Sequence, residues 1–431
     1  MSAWRRRLPA MAVDRWSAGL VCAAVAALAA ACGPRALSPV IITFAASAVG
    51  QEAAVLGAQF ARFQARRPDV RVEIRATPDA ADTRHQLYVQ RLNAHVPDPD
   101  VLQIDVIWTP EFAAAEWILP LDRFRPATDD FLPAAIAANR WNGRLFALPW
   151  FVDVGMLYWR TDLATSPPRD FDELRSQADQ RLLSMGLVWQ GARYEGLVTV
   201  FLEYLSAFGG QILDATGRVV VDADPAVRAL EYMRNAIYEH HTVPVDVLAW
   251  QEEHTRFAFQ NGRARFMRNW PYAVALLRDS ARSSVAGRFA VAPMPAGPGG
   301  SSAAALGGSQ LAINAHTDQP DAAYALIAFL LEPEQMLERA RVVGQYPSRM
   351  SLYEGPKLEA ALGVPAQDVR AIIERAVPRP VTPVYSELSD TLQIHLHRAL
   401  TRQAEPRDAL RLAAADMRRV LERSGLASGA R

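Results

Sequence analysis

Lysine is all but missing from this 431-residue chain: Lys357 is the only one, and arginine carries nearly all the positive charge. The pattern reads as genomic base composition rather than chemistry. Neither sign is in excess, with 46 basic residues against 46 acidic ones. No Lys/Arg stripe supplies the footprint that a nucleic-acid partner leaves, so none is expected. Cysteine occurs only as Cys22 and Cys32, both before the body of the chain, which rules out disulfides and Cys-based metal sites there. Beyond residue 32 no window approaches the ~20 apolar residues of a membrane-spanning helix. The nucleophile elbow, the phosphate-binding loop, HExxH and the dinucleotide glycine motif are all missing. His240-His241 and His395-x-His397 lack a third ligand, so neither metal nor cofactor is expected. No fixed-period repeat is visible.

What is present begins with an export signature. Arg5, Arg6, Arg7 and Arg15 precede "SAGLVCAAVAALAAAC", a charged region followed by an apolar run too short to span a bilayer comfortably. This pattern describes a secretory signal peptide over residues 1–31. Ala29, Ala30 and Ala31 before Cys32, with Gly33 after it, resemble the lipobox of bacterial lipoproteins, which implies lipidation of Cys32. The usual leucine is displaced by one, to Leu28. Simple secretion and a retained anchor are the alternatives. Residues 32–39, rich in proline and small side chains, read as a tether.

Half of the residues are apolar, ample for one large or two medium domains. "VIITFAAS" (40–47) is predicted as a strand. A helix follows over Gln51–Arg66, with Val55, Leu56, Phe60 and Phe63 on one face, stopped by Pro68. "VRVEIRA" alternates like a second strand, and "VLQIDVIW" (101–108) is a continuous apolar run suited to the middle of a parallel sheet. Strand–helix–strand grammar makes the fold α/β. Later, "GGQILDATGRVVVD" reads as a hairpin turning at Asp214–Gly217. Asp224 is predicted to cap a helix starting at Pro225, with Val227, Leu230, Met233 and Ile237 inside. Strands flank a Pro/Gly loop at 289–313, a helix opens at Gln319-Pro320-Asp321, and an amphipathic helix ends the chain.

Four stretches, in order along nearly the whole exported chain, carry a family resemblance. They are "FARFQARRPDVRVEI", "NGRLFALPWFVDVGMLYWRTDLATSPPRDFDEL", "FAFQNGRARFMRNWPYA" and "AALGGSQLAINAHTDQPDAAYALIAFLLEPEQ". Together they resemble the extracellular solute-binding proteins of bacterial ABC importers, in the carbohydrate-binding group of the maltose- and trehalose-binding proteins. The resemblance implies two α/β lobes joined by hinge crossings, with the ligand cleft between them. By match, lobe one is 40–152 plus 293–344 and lobe two is 153–292 plus 345–431. It further implies a small carbohydrate ligand, ABC permease subunits as partners, a lipid anchor in the membrane, and a monomer in the periplasm or at the cell surface.

A sugar shows apolar C–H faces that stack on aromatic rings and hydroxyls that need donors and acceptors. Aromatics beside carboxylates are therefore the candidates. "IDVIWTPEF" places Asp105, Trp108 and Glu111 at a strand's carboxyl end, where open α/β sheets bind ligands; the competing reading has Trp108 covering the sheet and Glu111 in solvent. Trp150 and Asp153 straddle the expected crossing, or are core and structural residues. Trp270 in "RNWPYA" corresponds to the family's stacking aromatic. Trp250 stands before the adjacent acids of "QEEH", of which family position favours Glu253 over Glu252. Gly307 and Gly308 allow close backbone approach or mark a bulge. Arg379 and Tyr385 lie near the third crossing, where an arginine could fork two hydroxyls. Gln51 and Glu52 follow the first strand, with helix capping as the alternative.

No catalytic residues are expected. A glycosidase needs two carboxylates at a set separation across the sugar, and no stretch singles out such a pair. A binding protein that feeds a sensor rather than an importer has the same cleft and remains open. The ligand expected is a disaccharide such as trehalose or maltose.

Overall fold

The computed structural model describes residues 39–46, 51–78, 81–178 and 185–426. The predicted signal peptide, Cys32 and all of the tether but Pro39 lie outside them. Strands β1 (Val40–Ala46), β2 (Val70–Ala76) and β3 (Val101–Asp105) are parallel, with β1 in the middle. Helix Glu52–Arg66 crosses between β1 and β2 and buries Val55, Leu56, Phe60 and Phe63, as its periodicity requires. Phe44 meets Phe60 and Trp150 edge-on at 5.3 and 5.6 Å. Each such ring contributes about 1.5–3 kcal/mol by leaving water.

Apart from the short hairpin of Arg140–Trp141 with Arg144–Leu145, the other strands are β4 (Ala147–Val154), β5 (Met156–Arg160), β6 (Met185–Val188), β7 (Ala264–Asn269), β8 (Phe289–Ala292), β9 (Ala304–Ile313), β10 (Tyr346–Pro347) and β11 (Ala376–Val377). They complete two sheets. The larger runs β10-β4-β9-β3-β1-β2, with β11 joined to the start of β9; the smaller runs β8-β5-β7-β6. Only Gly155 separates β4 of the first sheet from β5 of the second, so one nearly continuous strand passes from lobe to lobe. A Cβ on Gly155 would lie 1.7 Å from Glu203 Oε1, so no other residue fits without displacing that carboxylate. The second return is the loop between β8 and β9.

Each sheet has its own apolar core, and that of the second lobe reaches back to Val152, Val154 and Ala304–Leu306 at the crossings. Helix Glu195–Ala207 is buried almost all round, which fits its lack of a polar face. Helix Pro406–Arg423 is amphipathic and buries Leu410, Ala413, Met417 and Leu421.

Four local expectations change. The strand at 101 stops at Asp105, because its carbonyl takes the Trp108 N–H at 3.0 Å and its Oδ1 the Ile107 N–H at 3.2 Å, folding 106–108 into a turn. The hairpin after Gly210 keeps its turn but is reduced to one bridge, Leu213–Val219. Asp224 does not cap its helix: Ala223 is the cap residue, and the Asp224 carboxylate takes Arg407 at 2.9 Å. Tyr346 and Pro347 pair with Val152 and Phe151 at the edge of the larger sheet, and Asp153 and Val154 stay in that sheet beside Gly307 and Leu306, so the expected boundaries after 344 and after 152 both move and these residues belong to lobe one.

Candidate ligand-binding site

The carboxyl end of β3 and the crossing part of β4 and β9 converge where the chain changes lobe. Asp153 on β4 pairs with Gly307 on β9, and Asp105, the last residue of β3, pairs with Ser309. Trp270 follows directly on β7 of the second lobe and leans over the same strand. A Cβ built on Gly307 would lie 3.4 Å from both Asp153 Cβ and Trp270 Cζ3. Glycine thus lets the indole from lobe two pack onto bare backbone beside Asp153 of lobe one.

Trp270 is held from several sides. Its backbone N–H donates to Asn269 Oδ1 at 2.8 Å and its carbonyl accepts from Tyr158 OH at 2.6 Å. Its ring N–H donates to Glu252 Oε1 at 3.3 Å, and the Arg268 guanidinium lies 3.9 Å from the ring. Asp153 is less well supplied. Its Oδ1 is buried without a hydrogen-bond partner. Burial, reinforced by the charges of Asp105 and Glu52 and opposed by Arg268, pushes its carboxyl up to about 7. The buried Tyr346 hydroxyl is also unpartnered. Buried polar atoms left without partners need a reason, and a ligand hydroxyl supplies one. Beside Gln51 and Tyr346 a cavity of about 360 Å³ opens against Val274, Ala275 and Arg278 of the helix that follows Trp270.

Other candidates fall elsewhere. Glu52 is buried and accepts from Arg339 Nη2 at 2.6 Å and Gln345 Nε2 at 3.1 Å, closing an ion pair. Gln51 is exposed at the cavity's edge. Trp150 lies 3.8 Å under Arg339, deep in the first core. Trp108 is packed among His85, Tyr88 and Phe112 at 2 % exposure, covering the sheet rather than facing the gap. Gly308 is demanded by backbone: its φ is +113° and a Cβ would meet Phe151 O at 2.3 Å. Trp250 is half-buried, its carbonyl accepting from Gly191 and Ala192 N–H. Glu253 is engaged by Arg256 and by Tyr272 OH at 2.7 Å, and it is Glu252 that reaches Trp270.

Arg379 is no free fork. Its Nη2 donates to Asp105 Oδ1 at 3.1 Å and its Nη1 to Glu195 Oε1 at 2.8 Å, joining the end of β3 to a second-lobe helix. Tyr385 OH donates to the same Glu195 oxygen at 2.8 Å. Burial lifts Glu195 above the usual carboxylate range although Arg379 pulls the other way. Nearby, Asp82 rises to about 6 through burial and the charges of Glu195, Asp390 and Asp105.

Ser386, His85 and Glu111 form a cluster that superficially suits nucleophilic catalysis. Ser386 Oγ donates to Glu111 Oε2 at 2.8 Å, and His85 Nε2 meets the same oxygen at 2.9 Å. Serine and carboxylate therefore share one side of the ring, whereas a relay needs them on opposite nitrogens. The cluster instead fastens helix Tyr385–Leu400 to lobe one.

Of the two adjacent acids it is Glu252, the less favoured, that lies at the site, and the residues not expected there are chiefly Arg268, Glu203, Arg339 and Asp82. Glu203 had a readable signal, since it is a lone acid within the apolar run "LVTVFLEYLSAF" and must be buried with a partner.

Two α/β lobes with a strand passing directly between them, and an indole and a buried carboxyl close together at that crossing, define a two-lobed binding protein of the periplasmic type. The chain belongs to the bacterial extracellular solute-binding protein family, whose pattern matches residues 47–337. It is 34% identical to a probable ABC transporter-binding protein of Deinococcus radiodurans, over 88% of this chain and 94% of that one. The maltose-bound structure of T. maritima MalE3 superposes with a TM-score of 0.83 and 43% identity, covering 89% of this chain and all of that one. The GacH receptor of Streptomyces glaucescens, solved without ligand and with acarbose, superposes at 0.79 with 25% identity over 90% and 99% of the two chains. Among the described residues no helix is long and apolar enough to cross a membrane.

Proposed function

We propose that the chain is the receptor of an ABC importer for a small carbohydrate, an α-linked disaccharide of the maltose or trehalose kind. The sugar lies between the lobes, with a C–H face on Trp270 and a hydroxyl on Asp153 Oδ1. Glu252 orients the indole, and Gly307 leaves the ring room. Cleft closure then presents the loaded form to a membrane permease. No chemistry is done on the ligand.

The observation that carries this reading is the buried Asp153 oxygen without a hydrogen-bond partner, on the residue paired with Gly307, against which the Trp270 indole also packs. Such a pairing matches the two surfaces of a sugar. The maltose held by the T. maritima protein, and the acarbose held by GacH, support the ligand class. In this reading residues 1–31 are removed, Cys32 carries lipid, residues 32–39 tether a monomer to the membrane, and the protein acts outside it. Because one acyl chain anchors only marginally, more than one is required.

Calorimetric titration with maltose, trehalose, sucrose and glucose tests the reading. Micromolar binding, about −8 kcal/mol, to at least one disaccharide is the expected result. A folded protein that binds none of the four contradicts the disaccharide assignment.

A further inference from the structure

Glu203 and Arg268 form an ion pair closed to solvent, with side chains 1% and 0% exposed. Arg268 Nε donates to Glu203 Oε1 and Oε2 at 3.1 and 2.9 Å, Nη2 to Oε1 at 2.5 Å, and Nη1 to Gln190 Oε1 at 3.1 Å. Gln190 in turn donates to the Arg268 carbonyl at 3.1 Å. The guanidinium is thus fixed in plane as well as in place.

Neither partner serves only the core of its own lobe. Glu203 Oε1 also accepts the N–H of Ala305 at 3.1 Å, and Gly155 lies so close that a Cβ there would overlap the same oxygen. Gly155 is the residue at which the chain passes from β4 to β5, and Ala305 lies at the start of β9, just past the second crossing. At the other end, Arg268 stacks on Trp270 at 3.9 Å. One carboxylate therefore touches both crossings, and the cation it holds supports the aromatic wall of the gap.

We propose that Arg268 is a positioning residue that couples the hinge to the ligand-stacking ring through Glu203. When the crossing strands turn, they carry the Glu203 carboxylate or break the Ala305 bond. Arg268 follows its counter-ion, and the indole stacked on it tilts. Conversely, a ligand seated on Trp270 holds the guanidinium, and through it the crossings, in one arrangement. In this pair the hydrogen bonds from Ala305 and to Glu203 fix the guanidinium, and its stacking on Trp270 passes that orientation to the ring. The inference rests on the reading that Trp270 stacks on the ligand.

The test uses the ¹⁵N-labelled full chain, first without ligand. In Glu203→Gln, the Ala305 amide is expected to exchange at least ~10-fold faster and the Trp270 indole N–H resonance to shift, with the Val40–Ala46 amides of the first lobe unchanged. An indole resonance that stays in place while Ala305 accelerates overturns the coupling. So does uniform acceleration across both lobes, which marks a purely structural pair. If Glu203→Gln does not fold, Glu203→Gln/Arg268→Gln takes its place, since it leaves no unpaired charge buried. With maltose added, Trp270→Ala is expected to lower affinity by a smaller factor in the double variant than in the native chain. Equal factors overturn the proposal. If no sugar binds the native chain, the importer reading fails, and the indole and amide readouts still decide the coupling.

Discussion

Trp270 and Asp153 come from different lobes and both pack against Gly307, where a single methyl group would lie 3.4 Å from the indole and from Asp153 Cβ. The indole is oriented by Glu252 and Arg268, whereas the carboxyl oxygen has no hydrogen-bond partner. A rigid apolar plate beside an unsatisfied acceptor is an arrangement completed by a polar ligand with one apolar face.

Removing the plate should cost affinity and little else. Trp270→Ala is expected to weaken maltose binding by about 2 kcal/mol, the scale of one lost aromatic contact surface, which is roughly 30-fold in Kd. Trp108→Ala should leave affinity near native but lower the unfolding midpoint, because that ring fills a core. Calorimetry and chemical denaturation of the two variants check the contrast; a loss of binding only in Trp108→Ala would reverse the assignment.

Ligand binding should depend on pH through Asp153. Its carboxyl sits near 7 without ligand, and a donating hydroxyl favours the ionised form. Binding at pH 6 is therefore expected to release a proton, and affinity to rise from pH 5 to pH 8. Titrations in buffers of different ionisation enthalpy read the proton directly. Asp153→Asn should abolish the release, whereas Asp82→Asn should retain it. A native chain that releases no proton at pH 6 contradicts the assignment.

The same carboxyl should limit stability at high pH. Its folded value lies above its unfolded one, so its contribution is fully present below the unfolded value of about 3.9 and is lost as pH rises through about 7. A shift of about 3 units corresponds to at most roughly 4 kcal/mol. Asp153→Asn is expected to raise the urea midpoint of the ligand-free chain at pH 8 and to leave it nearly unchanged at pH 4. The opposite pH order would show that the carboxylate is stabilised in the fold.

Arg379 should matter to the fold more than to the ligand. Arg379→Met leaves Asp105 and Glu195 facing each other without a cation, at an expected cost of about 3–5 kcal/mol. Tyr385→Phe removes one bond to the Glu195 carboxylate and should cost about 1.5–3 kcal/mol. Denaturation of each variant checks the order; a native-like Arg379→Met would show that the bridge is dispensable.

Much of the fold was legible because its signals are local. The apolar run from Val101 declares a buried strand, and the spacing of Val55, Leu56, Phe60 and Phe63 declares a helix face; both are realised. The end of the strand was not legible, since Asp105 turns the chain with its own carbonyl and side chain. Trp270, Asp153 and Gly307 lie together at the lobe crossing. Arg379 and Glu52 carry the same chemistry but are claimed by partners far away in sequence, Glu195 and Arg339. Neither periodicity nor composition reports who pairs with whom across two hundred residues. For that reason Glu203 was recognisable only as an acid in an apolar run, and its place beneath the hinge emerged from the packing.

The most direct measurement is a crystal structure of the chain grown with maltose. One glucose ring is expected to stack on Trp270, with a hydroxyl within hydrogen-bond distance of Asp153 Oδ1 and Gly307 beneath the sugar. Maltose bound elsewhere in the cleft, with Asp153 Oδ1 untouched and Trp270 bare, would contradict it.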